Sequence, residues 1–137
     1  MVEELDHVAI AVRDLEEWTR RFEVLLGRPV SFRGSIPEDH VLTAQFHLGE
    51  TMLELIAPSA DQGAVARRLR DAGEGVYLIA VRVDDLEATL ARLREQDVRL
   101  VGDPGPGRPI IGHVFVHPKE AGGVMIQLTP RARQEPA

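Results

Sequence analysis

A stretch near the start of the chain, HVAIAVRDLE at residues 7–16, recurs with substitutions as LIAVRVDDLE at residues 78–87. A second pair follows in the same order, MLEL at residues 52–55 and MIQL at residues 125–128. The offsets of 71 and 73 residues are about half of the 137-residue chain. Self-similarity at a fixed spacing is typical of a repeated structural unit. The sequence therefore predicts a duplicated module.

The first module begins with an alternating stretch that predicts a strand over residues 5–12. Asp14 follows as a helix N-cap, and Glu17 three residues later gives a capping-box-like start. Apolar residues then recur at helical spacing until Gly27, which is suited to end a helix. These signals predict a strand followed by an amphipathic helix.

Period-two alternation returns at residues 41–48 and 51–57, and this pattern predicts an antiparallel hairpin. In the second module Asp85 caps the corresponding helix, and strands are expected at about 113–117 and 123–129. The order of elements in each module is therefore β-α-β-β.

The predicted fold class is α+β: two tandem βαββ modules form one cupped mixed β-sheet with the helices on its outer face. We expect a single domain, and its parts are module 1 at about 4–58, a connecting helix at about 60–72, module 2 at about 75–130 and a loose tail at 131–137.

The composition excludes several kinds of catalytic site, metal site and binding partner. The chain has no cysteine, which excludes disulfides, thiolate catalysis and thiolate zinc sites, so any metal must be bound by His, Asp, Glu or Gln. The net charge of −6 argues against binding to a nucleic-acid backbone. No stretch has the roughly 20 apolar residues of a membrane span, and the acidic N-terminus differs from a signal peptide. We therefore expect a soluble, cytoplasmic protein.

Alternation leaves His7 and Glu54 on the sheet face away from the helices, with Leu78 and Gln127 at the duplicated positions. Imidazole, carboxylate and amide donors suit a divalent ion such as Mn, Co, Ni or Zn. The alternative is that His7, beside Asp6, is only hydrogen-bonded and that Glu54 is solvated. The predicted metal ligands are His7, Glu54 and Gln127.

The residues also carry a family resemblance. The motifs are LDHVAIAV with DLE at residues 5–16, LGETMLEL at 48–55, GEG at 73–75 and FVHPK with GGV at 115–124. Over about residues 4 to 129, the chain resembles the vicinal oxygen chelate superfamily, which includes glyoxalase I and bleomycin-resistance proteins. It is most similar to methylmalonyl-CoA epimerases.

The resemblance implies a paired-module fold, a divalent metal, and proton exchange at the carbon between a thioester and a carboxylate. His7 and Glu54 match two metal ligands of the family. Leu78 stands where the epimerases carry a His, and Gln127 stands where they carry a Glu. A position at which some members use a catalytic Glu corresponds here to Thr43.

The counterpart of Thr43 in the second module is His113. We hypothesise that His113 or His47 supplies acid-base function or a replacement metal ligand; the alternative is that each only makes one hydrogen bond. Arg82 is expected either to pair with Glu54 or to bind an anionic substrate, and Lys119 to meet a CoA phosphate. The predicted substrate-binding residues are Thr43, Gln45, Arg82, Phe115 and Lys119.

Two functions are consistent with this sequence. The first is a methylmalonyl-CoA epimerase-like isomerase, a homodimer that uses a divalent metal to assist proton exchange alpha to a thioester or other carbonyl. The alternative is a metal-free protein of the bleomycin-resistance type that binds or sequesters a small molecule, which the apolar Leu78, Phe115 and Met125 favour. Neither hypothesis involves nucleic acid or membrane as a partner.

Overall fold

The computed structural model describes residues 1–131, which form eight strands and three helices. Residues 132–137 of the predicted tail lie outside the described residues. The strands are β1 Val2–Ala11, β2 Phe32–Ile36, β3 Val41–Leu48, β4 Thr51–Pro58, β5 Gly75–Val83, β6 Leu100–Val101, β7 Val114–Val116 and β8 Met125–Pro130. The helices are α1 Leu15–Leu26, α2 Ala64–Ala72 and α3 Leu86–Glu95.

The main helices of the two modules start in the same way. The Asp14 carboxylate accepts a hydrogen bond from the Glu17 amide at 3.1 Å, and the Asp85 carboxylate accepts one from the Ala88 amide at 3.0 Å. Each bond satisfies one of the amides that the first turn of a helix leaves without a partner. Helix α1 ends at Gly27, whose φ of 66° is in the left-handed region that favours glycine. Both predicted caps are confirmed.

The chain divides into two compact units. The first-module unit is His7–Tyr77, and in it the strand order is β2-β3-β4-β1. Its β1 segment is parallel to β4, whereas β2, β3 and β4 are antiparallel neighbours. Helix α1 covers one face and packs Trp18, Phe22 and Leu26 against a core of Val12, Ala44, Phe46, Leu55 and Ala57.

Among the described residues, the second-module unit combines Met1–Asp6 with residues 78–131. Its strand order is β5-β8-β7-β6, with β5 parallel to β8 and the other pairs antiparallel. The N-terminal ammonium lies 2.7 Å from the Asp84 carboxylate, and the Asp84 amide donates to the Met1 carbonyl. Helix α3 covers a core of Val83, Leu90, Val114 and Leu128.

All eight strands belong to one mixed sheet with the order β2-β3-β4-β1-β5-β8-β7-β6. The α+β fold class is therefore confirmed. None of the helices in residues 1–131 is long and apolar enough to cross a membrane.

Each module has one strand more than the sequence predicted. Strand β2 was missed because it is an exposed edge strand, so FRGSI carries no alternating apolar pattern. Strand β6 has only two residues, too few for any periodicity. His113, predicted within a strand, lies one residue before β7, and the last strand begins at Met125 rather than at 123.

Candidate active site

The first-module unit has one sheet face that α1 does not cover, and its side chains form three rows across β3, β4 and β1. Register determines the rows, because residues paired on neighbouring strands point to the same face. The rows are His47, Met52 and His7; Gln45, Glu54 and Ala9; and Thr43, Ile56 and Ala11. The structure therefore brings five of the predicted site residues together on one face.

Glu54 is at the centre of the middle row. The Gln45 amide donates a hydrogen bond to Glu54 Oε2 at 3.0 Å. On the other side of Glu54, Ala9 is almost fully buried and adds no bulk beyond its methyl group. The carboxylate is thus oriented by one amide.

His47 and Thr43 lie at opposite ends of the same strand face. The His47 amide donates to Ser31 Oγ at 2.9 Å, and its carbonyl accepts from Arg28 Nη1 at 2.7 Å, so the backbone that carries this imidazole is held on both sides. Thr43, in contrast, is 4% exposed in a row with Ile56 and Ala11. Its hydroxyl is therefore part of a buried layer.

On the uncovered face of the second-module unit, the first two rows are more apolar, whereas the third row pairs Arg82 with Thr129. Leu78 pairs with Met125, and Gln127 is flanked by Ala80 on β5 and Phe115 on β7. The Gln127 amide donates to Thr129 Oγ1 at 3.2 Å. The Gln127 amide thus has apolar neighbours on β5 and β7 and a threonine hydroxyl on its own strand.

His113 leads into β7 and lies against Phe115. The two rings meet nearly edge to face, with centroids 6.2 Å apart. Gly102 packs behind the His113 backbone, because a Cβ on Gly102 would be 2.5 Å from the His113 carbonyl oxygen. The close approach requires glycine at position 102 and fixes where His113 enters the strand.

The glycine- and proline-rich loop that starts at Gly102 is tied to α3. Arg94 Nε donates to Asp103 Oδ2 at 2.8 Å, and its Nη2 donates to Asp103 Oδ1. Asp103 also accepts from the Gly105 amide at 3.1 Å. The Arg94 hydrogen bond is the main reason that the pKa of Asp103 is lowered. The first residues of the loop are therefore anchored, and Ile110 at its other end packs against the core of this unit.

Arg82 contacts two acidic residues of β1. Its Nε donates to Asp6 Oδ1 at 2.8 Å, and its Nη1 lies 3.4 Å from Glu4 Oε1. The Arg82 and Asp6 side chains are each 30% exposed. These contacts join β1 to β5 within the second-module unit, and binding of a substrate anion by Arg82 stays a prediction.

Lys119 is in a short 3-10 turn, Pro118–Glu120, whose cap is His117. The His117 Nδ1 accepts a hydrogen bond from the Lys119 amide at 3.1 Å, so this imidazole has a local structural role. The Lys119 ammonium is exposed, as contact with a CoA phosphate would require.

Among residues 1–131, no group of three or more His, Asp or Glu side chains is arranged to hold a metal ion. The first-module face supplies two of the predicted donors, His7 and Glu54, one row apart on neighbouring strands. The Gln45 hydrogen bond to Glu54 is the kind of support that ligating carboxylates usually have. Leu78 has no donor atom to add. On this face the described residues thus bring two of the three predicted metal ligands onto neighbouring strands.

The sequence did not predict an open pocket of about 470 Å³ in the first-module unit, between the end of β4 and α2. Arg13 and Arg70 line it, but Arg13 Nη2 donates to the Leu69 carbonyl and Arg70 pairs with Asp61. Both guanidinium groups are thus engaged, and we assign no ligand to the pocket.

Comparison with a family model and with known proteins indicates the same superfamily. The family model of the Glyoxalase/Bleomycin resistance protein/Dioxygenase superfamily matches residues 6–115. Human mitochondrial methylmalonyl-CoA epimerase is 33% identical over 129 residues, which cover 90% of this chain and 72% of the human protein.

Solved structures agree with this match. Methylmalonyl-CoA epimerase from Mycobacterium tuberculosis has a TM-score of 0.77 and 34% identity, covering 96% of this chain and 90% of that one. A methylmalonyl-CoA epimerase in complex with methylmalonyl-CoA and NH4+ has a TM-score of 0.79 and 30% identity, covering 99% and 100%. This chain belongs to the glyoxalase/bleomycin resistance protein/dioxygenase superfamily.

Proposed function

We propose that this protein is an isomerase that epimerises methylmalonyl-CoA or a closely related acyl-CoA thioester. The observation that carries the proposal is its similarity to methylmalonyl-CoA epimerases over nine-tenths of the chain. The reaction removes the proton from the carbon between the thioester and the carboxylate and returns a proton to the opposite face of that carbon.

This chemistry requires a base, an acid and stabilisation of the negative charge that develops on the thioester oxygen. Imidazole is the side chain that most often serves as acid or base near neutral pH. We therefore assign proton transfer to His47 or His113. His47 is supported by its position on the Glu54 face, and His113 by the glycine contact that fixes its backbone.

Hydrogen-bond donors and acceptors on the two uncovered faces would orient the thioester and the carboxylate. Gln45 offers an amide for this purpose, and the exposed Lys119 offers a cation for a CoA phosphate. Arg82, already ion-paired, would act mainly by holding β1 against β5.

A divalent metal, Co, Mn, Ni or Zn, is part of the proposal. His7 and Glu54 of the first-module unit would hold it. When bound, such an ion supplies positive charge to the developing enolate oxygen. Because Leu78 replaces an imidazole donor, we expect weaker binding than a site with three or four protein ligands provides.

A homodimer and a cytoplasmic location are also proposed, as the sequence predicts. The end strand β2 presents Phe32 and Ile36, which are 54% and 42% exposed, so an uncovered sheet edge is available for association. Light scattering coupled to gel filtration would give the mass of the assembly.

The test is deuterium uptake at C2 of methylmalonyl-CoA in D2O, followed by mass spectrometry, with protein incubated either with Co²⁺ or with a chelator. We expect enzyme-dependent uptake that falls at least tenfold in His47→Gln or His113→Gln. His40→Asn is the matched control, because His40 has a left-handed backbone (φ 56°) that Asn tolerates. Uptake no faster than without enzyme, under every metal condition, would refute the proposal.

A binding function without catalysis is the second candidate, and the apolar Leu78, Phe115 and Met125 favour it. It predicts a metal-free protein whose melting temperature rises with apolar ligands although no exchange occurs. The same deuterium assay thus separates the two functions.

A further inference from the structure

His47 is at a point where the sheet of the first-module unit loses its backbone pairing. Strands β2 and β3 pair as far as Phe32 and Gln45, and the same register would place Val30 opposite His47. The Val30 amide instead donates to Glu23 Oε2 at 3.0 Å, so the chain turns away from β3 toward α1. Strand pairing on this side therefore ends two residues short of His47.

Two side chains take the place of the strand partner. Ser31 Oγ accepts a hydrogen bond from the His47 amide at 2.9 Å, and Arg28 Nη1 donates to the His47 carbonyl oxygen at 2.7 Å. In an antiparallel sheet the amide and the carbonyl of one residue point to the same side of its strand, so both groups face away from β4. The pairing of His47 with Met52 on β4 therefore leaves both groups to these two side chains.

These contacts fix a position more than they stabilise the fold. Arg28, Ser31 and His47 are all exposed, so water can satisfy the same amide and carbonyl at little cost in stability. A water molecule does not determine where the backbone lies, whereas a side chain anchored to α1 does. The Glu23 carbonyl accepts from the amides of both Gly27 and Arg28, so the segment that carries the two side chains is held by the end of the helix.

We propose that Arg28 and Ser31 are positioning residues, which hold the His47 imidazole in place for proton transfer. The inference rests on the proposed function and concerns His47, one of the two imidazoles to which that function assigns the proton. His47 lies in the same compact unit as Glu54, one row away on the same sheet face. Proton transfer requires an imidazole within reach of the reacting carbon, and a displacement of about 1 Å can lower the rate about 10²-fold. Loss of either contact should therefore lower kcat and leave KM unchanged.

The experiment replaces Ser31 with Thr or Val, which have nearly the same shape although only Thr carries a hydroxyl. It measures kcat and KM for deuterium uptake at C2 of methylmalonyl-CoA with Co²⁺. Ser31→Val should lower kcat about tenfold with KM within about twofold of the wild-type value, whereas Ser31→Thr should retain kcat. Ser35→Val makes the same change within β2, opposite Leu42 rather than beside His47, and should alter neither constant.

A second measurement tests whether Ser31 acts through His47. In the His47→Gln protein, Ser31→Val should cause no further loss of kcat, because the imidazole that Ser31 positions is already gone. A loss as large as in the wild-type background would overturn the positioning role. Arg28→Met removes the donor to the His47 carbonyl and should lower kcat, whereas Arg28→Lys keeps a donor and should retain it. This pair decides the matter if Ser31→Val does not fold.

The outcomes separate the positioning role from the function on which it rests. Equal kcat for Ser31→Val and Ser31→Thr, with uptake by the wild-type protein intact, would overturn the positioning role and leave the proposed function in place. Absence of uptake by the wild-type protein would overturn both.

Discussion

The two modules of this protein have the same arrangement of secondary structure but different side chains on their uncovered sheet faces. Each has a strand followed by an aspartate-capped helix, and that strand is parallel to the last strand of its module. The register of the two parallel pairs is equivalent. One uncovered face holds His7, Gln45 and Glu54, and the other holds Leu78, Phe115 and Gln127 in the same places. Packing constrains the helix-facing residues of both modules, whereas the uncovered faces are free to diverge. The two modules thus share strand register and differ in the chemistry of their uncovered faces.

The cores show a second difference. In the first module, Phe46 lies among aromatic neighbours, with its ring centroid 6.4 Å from that of Phe22, and Phe22 is 6.3 Å from Trp18. The second core, around Leu90 and Val114, is aliphatic. An aromatic side chain buries more apolar area than an aliphatic one, so truncating it to alanine removes more buried area.

The largest effect is therefore expected from truncating the aromatic core. Phe46→Ala should lower the free energy of unfolding by about 3–5 kcal/mol, and Leu90→Ala by about 2–5 kcal/mol. Both residues are fully buried. Urea unfolding measures the loss of free energy of unfolding. The control is Val24→Ala at an exposed position, which should change this free energy by less than about 0.5 kcal/mol. A smaller loss for Phe46→Ala than for Leu90→Ala would contradict the ranking of the two cores.

The next test exchanges the central residues of the two faces. Glu54→Gln gives the first module the amide of the second and keeps the shape of the side chain. Because Glu54 is a proposed ligand of the metal, deuterium uptake with Co²⁺ should fall at least tenfold, since loss of a group that only supports a metal ligand already costs about 10–100-fold. Glu38→Gln, at an exposed turn, makes the same chemical change as a control and should leave the rate unaltered. A Glu54→Gln variant with wild-type uptake would remove Glu54 from the site.

A third test makes the second module resemble the first. Leu78→His places an imidazole at the position equivalent to His7, one row from the Gln127 amide on the same face. The added ligand should raise Co²⁺ affinity at least tenfold, since loss of a group that only supports a metal ligand already costs about 10–100-fold. Co²⁺ titration, read by its visible absorption, reports binding without reference to turnover. Val24→His is the matched control on exposed α1. Unchanged Co²⁺ affinity would mean that Leu78 is not equivalent to a ligand position.

Local signals in the sequence predicted much of this fold. The caps at Asp14 and Asp85, the glycine that ends α1, and the hairpin of β3 and β4 depend on neighbouring residues, so the pattern that specifies each is visible in a short window. Strand β2 is different. Its pairing with β3 is satisfied through the backbone, and its exposed side chains need not alternate.

The sheet face of a candidate residue was predictable from alternation along its strand. Contacts between residues far apart in the sequence were not. Alternation placed Gln45, His47 and Glu54 on one face, and the register agrees. The partners of Arg82 are Asp6 and Glu4, separated from it by 76 and 78 residues. No sequence period specifies such an ion pair, because it depends on how β1 and β5 align.

The smallest expected effect compares the two helix caps, which are the most alike features of the modules. Asp14→Ala and Asp85→Ala each leave one helix amide without its side-chain acceptor, so each should lower the free energy of unfolding by about 1 kcal/mol. Asp14→Asn and Asp85→Asn should lose much less, because Asn caps helices about as well. Urea unfolding of the four variants measures both. A clear inequality between the two alanine variants would show that the modules differ in their helices as well as in their faces, since the cap geometry itself is nearly the same.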